Sequence, residues 1–305
     1  MDRKSCFRHT LQTAKHPNLL QILRRYPNMV MRSAQAYLQK PDFSVDWVSV
    51  AAQTGDSHQG LIVAFLNPRR DMLQIVSWCI VPKCSNQGLG QRLLAELEVW
   101  CRKQGVKRMT FDLRNGNVSY DVASHIMRKQ GWGDQQPLVH RFKVAASTLT
   151  GLGWEKHQCR STRIKTFPWK TLSERQRSQL LNASRNDEQF PAELLPFNSE
   201  QGIEYTVSLG LCHGNEVIGW VVAHRQRRDL IEYSTLYVKP SCRLIGAAIL
   251  LLGESFRLLA DTEAESVIFQ VRVDNHMMLR FARKRCQPIL SEATLFRAEK
   301  VLVTG

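Results

Sequence analysis

Two segments of the chain place small residues where a predicted strand runs directly into a predicted helix. The first strand ends near Val81 with its helix starting near Gly88, and the second ends at Val238 with its helix starting at Gly246. A helix N-terminus presents unpaired backbone N–H groups and a partial positive charge, which suits a phosphate. Glycine lets the backbone approach such a ligand closely. Both segments therefore predict an anion-binding loop.

Two familiar nucleotide-binding motifs do not fit these loops. Neither loop carries GxGxxG followed by a βαβ unit, so the dinucleotide fingerprint is excluded. A Walker loop is excluded as well, because no Gly-Lys is followed by Ser or Thr. One glycine loop alone also fits a tight turn without a ligand. The second copy in the same context favours binding.

The two loops belong to an internal repeat. When the sequence is shifted by 158 residues, nine identities align without a gap. They are Pro82/Pro240, Cys84/Cys242, Gly88/Gly246, Leu93/Leu251, Leu94/Leu252, Glu96/Glu254, Phe111/Phe269, Arg114/Arg272 and Asn117/Asn275. The repeat predicts a duplicated domain.

The predicted elements agree with a duplication, because each half is interpreted as β-β-β-α-β-α-β preceded by helical residues, although the first of these strands is given no residues in the first half. The pattern predicts strands at 60–67, 72–81, 106–113, 140–144, 205–212, 217–224, 230–238, 266–271 and 295–302. It predicts helices at 18–26, 120–130, 172–184, 246–260 and 275–285, and one ending at Gly105. We expect an N-terminal domain at 1–146, a linker at 147–165 rich in Ser, Thr and Gly, and a C-terminal domain at 166–305.

Composition excludes several protein classes. The 305 residues are 43% hydrophobic and 23% charged, which is typical of soluble globular proteins and not of disordered or collagen-like chains. The longest apolar run is too short for a membrane span, and no signal peptide is evident, so we expect a cytoplasmic protein. The eight cysteines show neither CxxC pairs nor metal-ligand spacing, which predicts reduced thiols and no metal. The net charge is +15, with +11 in residues 1–146, so acidic partners are expected.

With these loops the chain resembles the GCN5-related N-acetyltransferase (GNAT) superfamily. The family signature is Gln or Arg, two residues, Gly, one residue, then Gly or Ala. The second loop matches it with Arg243, Gly246 and Ala248, whereas the first keeps Gly88 and Gly90 but has Ser85 in place of Arg or Gln. Lys129-Gln-Gly131-Trp132 and Asn275 echo a downstream family pattern.

The resemblance implies an α+β (α/β) fold of two tandem GNAT-like domains, each a mixed, mostly antiparallel sheet flanked by helices. It implies coenzyme A, acyl-CoA, or acyl-phosphopantetheine on a carrier protein as the bound thioester. The cofactor-binding residues it implies are Ile80, Val81, Ser85, Asn86, Gln87, Gly88, Leu89, Gly90, Gln91, Val238, Arg243, Leu244, Ile245, Gly246, Ala247, Ala248 and Asn275.

The implied reaction is attack of an amine on an acyl thioester, which needs a base to keep the amine neutral. The family often uses a glutamate of the fourth strand, and that position is Glu232 in the second copy but Gln74 in the first. An amide cannot accept the proton, so Glu232 and the second domain are predicted to be catalytic. Glu232 also fits an exposed or ion-paired strand carboxylate, and the more open loop at Gly88 leaves an active first domain as the alternative.

The general acid is not identified by the sequence. The family's usual tyrosine position is occupied by Ala282 in the second half and Met127 in the first, and neither side chain can donate a proton. His224 and Tyr233 remain as candidates. His224 equally fits a surface residue at a strand end, and Tyr233 a packing residue.

Substrate identity is less constrained. The layout is also similar to tandem acyltransferases found beside ribosomal peptide clusters, which attach fatty acyl chains to Lys or ornithine of a precursor peptide. Residues carrying that similarity are Gly219-Trp220, His224-Arg225, Met278 and Phe281-Ala282. The basic first half suits an acidic acyl carrier protein or an acidic leader peptide.

Other functions stay open at this point. An acetyltransferase of a small amine or a protein, and a non-catalytic module that holds acyl thioesters, both fit the same loops. A nucleic-acid-binding protein is disfavoured, because Arg24-Arg25 and Arg225-Gln-Arg227-Arg228 lack interleaved aromatic residues. The sequence does not set the oligomeric state.

Overall fold

The chain forms two units, each built around a sheet that contains a parallel strand pair among antiparallel ones. The computed structural model describes residues 10–16, 18–31, 45–116, 118–156, 163–186, 194–198 and 200–302. The first unit combines residues 1–138 with 294–305, and the second comprises residues 139–293.

The first unit has the strand order β1-β2-β3-β4-β5-β12, with β4 and β5 parallel. Its elements are β1 (Thr10–His16), α1 (Leu19–Arg25), β2 (Asp46–Thr54), β3 (Ser57–Leu66), β4 (Met72–Ile80), α2 (Leu89–Lys103), β5 (Arg108–Arg114), α3 (Val118–Lys129) and the later part of β12 (Ile289–Val301). The apolar stripe of α2 faces the sheet, where Leu93, Leu94 and Leu97 are fully buried.

The second unit has the order β6-β11-β10-β9-β8-β7, with β10 and β11 parallel. Its elements are β6 (Gln136–Ala145), α4 (Ala146–Thr150), β7 (Ile164–Pro168), α5 (Glu174–Asn186), β8 (Leu209–His213), β9 (Glu216–Arg227), β10 (Leu230–Val238), α6 (Ala247–Leu259), β11 (Ser266–Arg272) and α7 (His276–Arg285). Helix α6 packs on the sheet through Leu251, Leu252 and Phe256. Each unit thus consists of mixed, mostly antiparallel strands with flanking helices, which confirms the predicted fold class.

The last strand of each sequence repeat pairs with a strand of the other repeat. Strand β6 pairs antiparallel with β11, and β12 pairs antiparallel with β5. The domains predicted at 1–146 and 166–305 follow the sequence repeat, whereas the compact units follow strand pairing. The described part of the predicted linker includes most of α4, whose Leu149 is buried in the core of the second unit, while residues 157–162 lie outside the described residues.

Some elements differ from the predicted pattern. Strand β2 was not predicted, because its residues are apolar on both faces and do not alternate with polar ones. The predicted strand at 205–212 begins later, at Leu209. In the described part of the chain, none of the helices has the length and apolar character needed to cross a membrane.

Candidate functional site

Strands β10 and β11 pair for four residues and then diverge. Their parallel register runs from Leu230–Ser266 to Tyr233–Phe269, although β10 continues to Val238 and β11 to Arg272. A β-bulge at Ser234 in β10, between Tyr233 and Thr235, alters the strand at the same point. The bulge and the end of the pairing create a fork between the two strands.

A cavity of about 190 Å³ opens at this fork. Its wall is largely apolar, and a few polar side chains reach it, as is common in ligand sites. The apolar side chains come from β10, β11, α6 and α7 and include Leu236, Leu252, Phe256, Phe269, Met278 and Phe281. The polar ones are Ser234, Thr235, Gln270, Arg272 and Asn275.

The N-terminus of α6 follows β10 through the second predicted loop. Residues Pro240–Ile245 form a 3₁₀ turn, and Gly246 then adopts φ +80°, a left-handed conformation that favours glycine. The N–H groups of Ile249 and Leu250 both donate to the Gly246 carbonyl, so those of Ala247 and Ala248 precede the first intrahelical bonds. The structure thus forms the predicted strand–loop–helix. The side chains of Arg243, Leu244 and Ile245 lie outside what is described.

The first loop has the same backbone arrangement. Gly88 caps α2 with φ +74°, and a Cβ atom added there would meet nothing within 4 Å, so the space around Gly88 is open. Ser85 N–H donates to Pro82 O, and the Gln87 side-chain amide donates to Lys83 O, so both groups stabilise the turn. Leu89 is buried, while Asn86 adopts φ +60°.

The fork of the first unit is occupied by a side chain. Strands β4 and β5 pair from Met72–Arg108 to Ile75–Phe111, the same four-residue register as in the second unit. Beyond the last pair, Trp78 stands where the second unit has Leu236. A Cβ atom on Gly90 would lie 3.3 Å from Trp78 Cζ2, and the indole centroid is 6.1 Å from the Phe111 ring. The indole therefore fills space between the α2 N-terminus and β5.

Glu232 lies on β10 beside the fork, on the sheet face opposite α6. Gln270 Nε2 donates a hydrogen bond to Glu232 Oε1 at 3.1 Å, and Gln270 also lines the cavity. Glu232 is half-buried, and His224 is its cross-strand partner on β9. The carboxylate is thus adjacent to the cavity without being part of its wall.

The candidates for the general acid have different environments. The side chain of His224 reaches Ser234, with 2.7 Å between His224 Nδ1 and Ser234 Oγ. Tyr233 is partly buried and lines the cavity, and its hydroxyl lies 3.0 Å from Ser255 Oγ, which itself donates to Val207 O. Desolvation raises the pKa of Tyr233 above its usual value. The Tyr233 hydroxyl therefore already donates its proton to Ser255 on α6.

Residues at the other end of the cavity belong to α7. Asn275 caps this helix, because its Oδ1 accepts a hydrogen bond from Met278 N–H at 3.2 Å. Ala282 and Met127, at the family's tyrosine position in the two halves, are both buried. Burial also raises the pKa of the Cys286 thiol, which lines the cavity, to about 11.

Sequence reasoning missed Ser234 and Gln270 as candidate site residues. The available signal was a comparison of the repeats, because Ser234 aligns with Val76 and Gln270 with Asp112 at the 158-residue shift. The valine-to-serine difference within the fourth strand indicates that the two copies differ in the chemistry available at this position. It does not by itself show which side chain reaches the cavity.

Comparison with known proteins identifies the family. The model described as "Acetyltransferase (GNAT) family" matches residues 17–119 and 168–286. No match is found among curated proteins. Several solved structures share the fold over nearly the whole chain.

A tandem GNAT protein from the clavulanic acid biosynthesis pathway has 12% identity and a TM-score of 0.68, covering 96% of this chain and 98% of that chain. A GCN5-related N-acetyltransferase from Sphaerobacter thermophilus has 15% identity and a TM-score of 0.55, covering 94% and 95%. A GNAT-family acetyltransferase from Colwellia psychrerythraea has 10% identity and a TM-score of 0.56, covering 95% and 99%. At these identities the structural likeness shows the fold, and the two family matches show that the chain belongs to the acetyltransferase (GNAT) family as a tandem N-acyltransferase.

Proposed function

We propose that the second unit transfers an acyl group from a coenzyme A or acyl-carrier thioester to a primary amine. The observation that carries this proposal is the apolar cavity at the β10–β11 fork, whose wall includes Leu252 and Phe256 of α6, together with Glu232, which is hydrogen-bonded to the cavity residue Gln270. A bound thioester would place its anionic end at Gly246–Ala248 and its acyl end among the apolar side chains. Arg243 is proposed to pair with the anion, and Asn275 to contact the ligand from α7.

Glu232 is proposed as the general base. Its carboxylate would accept a proton from the incoming amine, directly or through water, so that the neutral amine attacks the thioester carbonyl. Gln270 holds one carboxylate oxygen by a hydrogen bond from its amide. The other oxygen would then accept the proton.

Binding of a thioester at the first loop, residues 80–91, is kept as the alternative. Trp78 fills the space that a thioester arm would need in that unit. An open Gly88 loop supports anion binding there without turnover. We therefore assign catalysis to the second unit.

A fatty acyl chain is the donor that the cavity favours. Its wall includes Leu236, Phe256, Phe269 and Phe281, which would bury methylene groups at about 0.8 kcal/mol each. The proposed acceptor is a Lys or ornithine side chain of an acidic-leader precursor peptide, so that the reaction is a peptide lipidation. The +11 charge of residues 1–146 supports recognition of an acidic carrier or peptide. The proposed location is the cytoplasm.

Two other functions are compatible with the same cavity. An acetyltransferase of a small amine or protein would use only part of the apolar wall. A non-catalytic acyl-thioester-binding module would not need Glu232 beside the fork, so the position of that carboxylate favours catalysis.

The experiment measures thiol release from acetyl-, octanoyl- and palmitoyl-CoA, and from the same acyl groups on a carrier protein, with lysine- and ornithine-containing peptides and small amines as acceptors. Faster turnover of a long-chain donor with a peptide would support lipidation, and faster turnover of acetyl-CoA would favour the acetyltransferase. Binding of every donor without thiol release would instead establish the non-catalytic module.

A further inference from the structure

The two repeats differ at three neighbouring positions on one face of the sheet. In the second unit Glu232 on β10 pairs across the strands with His224, and Ser234 is the bulge residue. In the first unit Gln74 pairs with Phe65 in the same register, and the bulge falls at Val76. A carboxylate, an imidazole and a hydroxyl thus stand where the other repeat has an amide, a phenyl ring and an isopropyl group.

Packing explains the residues of the first unit. Phe65 is buried in an apolar cluster under α1, its ring centroid lies 5.5 Å from that of Trp47, and Val76 packs against the same cluster. The corresponding face of the second unit is not packed in this way. Ser234 is exposed, and His224 and Glu232 are half-buried. The polar residues therefore need an explanation other than core stability.

Ser234 connects this polar group to the cavity. It directly follows Tyr233, which belongs to the last pair before the strands diverge, and it is one of the residues that line the cavity. His224 Nδ1 lies 2.7 Å from Ser234 Oγ, and Ser234 Oγ lies 3.0 Å from the Val222 carbonyl oxygen. When the hydroxyl proton points to Val222 O, His224 Nδ1–H must donate to Ser234. Rotation of the hydroxyl from Val222 O to the fork would let Ser234 give its proton there and take the Nδ1 proton of His224.

We propose that Ser234, hydrogen-bonded to His224, is the acid that protonates the departing thiolate. The inference rests on the proposed acyl transfer and completes it. Ala282 has no proton to give, and Tyr233 donates to Ser255, whose own proton goes to Val207 O, so that among the contacts described no imidazole stands behind Tyr233 to replace its proton. In this arrangement Ser234 contacts the leaving group, and His224 acts through Ser234.

The proton balance of the step is complete. The amine nitrogen forms a bond to the thioester carbonyl carbon, and its proton goes to Glu232 and then to solvent. The carbon–sulfur bond breaks with its electron pair on sulfur, which takes the hydroxyl proton of Ser234. In the same step Ser234 Oγ takes the Nδ1 proton of the protonated His224, which leaves a neutral imidazole that regains a proton from solvent. The products are an amide and a thiol.

The size of the effect follows from the leaving group. A thiol with a pKa of about 8.5 departs with moderate assistance, so loss of the acid should lower kcat by about 10²-fold, the lower end of the general-acid range. A selenolate is a weaker base than a thiolate and needs less protonation as it leaves. If a variant loses less activity with the selenium donor than with the sulfur donor, the missing residue acts as an acid and does not only shape the site.

The test compares an acyl-CoA with its selenium analogue as donors for the wild type, Ser234→Ala, Ser234→Thr and His224→Gln. We expect Ser234→Ala and His224→Gln to lose about 10²-fold in kcat with the thioester and less than about threefold with the selenoester, with KM little changed. Ser234→Thr keeps a hydroxyl and should retain most of the activity. As a matched control, Ser184→Ala removes a hydroxyl on α5 that bonds only to Leu181 O among the contacts described, and should not change either rate.

The outcomes separate this inference from the proposed function. Equal losses with both donors, or full activity of Ser234→Ala, would overturn the assignment of the acid while leaving acyl transfer intact. A wild type that binds both donors and turns over neither would overturn the proposed function itself. Circular dichroism of each variant checks that the fold is retained.

Discussion

Glu232 and Gln270 form a carboxylate–amide pair that appears in reversed order in the first unit. In the second unit the β11 amide of Gln270 donates to the β10 carboxylate, whereas in the first the β4 amide of Gln74 donates to Asp112 on β5 at 3.3 Å. Asp112 also accepts hydrogen bonds from Arg297 Nε and Nη2, at 2.7 and 2.8 Å. One repeat therefore has its carboxylate on the strand beside the bulge, and the other has a carboxylate already neutralised by arginine.

This reversal predicts the effect of Glu232→Gln. The substitution keeps the shape of the side chain and removes its ability to accept a proton, so kcat should fall by about 10²–10⁴-fold. The measurement is thiol release with saturating donor and acceptor. Asp112→Asn is the matched control in the first unit and should leave kcat unchanged. If Asp112→Asn abolished turnover and Glu232→Gln did not, the catalytic unit would be the first one.

Gly246→Val tests the anion-binding loop. Valine is strained at φ +80°, and its branched Cβ would crowd the α6 N-terminus, so affinity for coenzyme A should fall at least about tenfold, or about 1.4 kcal/mol. Isothermal titration calorimetry gives the Kd. Gly88→Val imposes the same strain in the first unit, at φ +74°, and should leave the affinity of the second unit intact. Equal loss in both variants would show that both loops hold the ligand.

Trp78→Leu tests whether the indole closes the first fork. Leucine is the residue of the second repeat at this position, and the smaller side chain should open a cavity and destabilise the fold by about 1–3 kcal/mol. We expect calorimetry to detect an additional binding event for acyl-CoA. The reciprocal Leu236→Trp should fill the second cavity and abolish binding. Unchanged binding in Leu236→Trp would contradict the location of the site.

Two buried cysteine thiols predict that the free energy of unfolding falls at alkaline pH. Burial raises the pKa of Cys101 to about 12 and that of Cys286 to about 11, so both stay protonated in the folded state when the unfolded thiols ionise. Their contribution to stability is therefore fully present below about pH 8.5 and is lost as the pH rises towards about 11 for Cys286 and about 12 for Cys101. Urea unfolding at several pH values should show the free energy of unfolding falling over this range. Cys286→Ala should make that fall shallower, and an unchanged pH dependence would exclude Cys286 as a cause.

The sequence alone was sufficient for the repeat, the two loops and the difference between Glu232 and Gln74. These features are local, because a strand followed by a glycine and a helix depends on backbone conformation near Gly88 and Gly246. Helix α2 was likewise predictable, since its apolar residues recur on one face and Gly105, with φ +73°, lies just after it. The identities at the 158-residue shift then placed the second copy in the same fold.

Only the tertiary structure decided which strands complete each sheet and which fork is open. Strand β6 pairs with β11 rather than β5, a choice between two similar partners that the apolar pattern of β6 does not encode. In the sequence Trp78 has the pattern of an ordinary apolar strand residue. Only the structure shows that its indole lies close to Gly90 and Phe111. His224 and Ser234 are ten residues apart in the chain, and they meet because β9 and β10 are antiparallel and the bulge redirects Ser234. Contacts of this kind depend on register and side-chain volume across strands, which only the packed sheet determines.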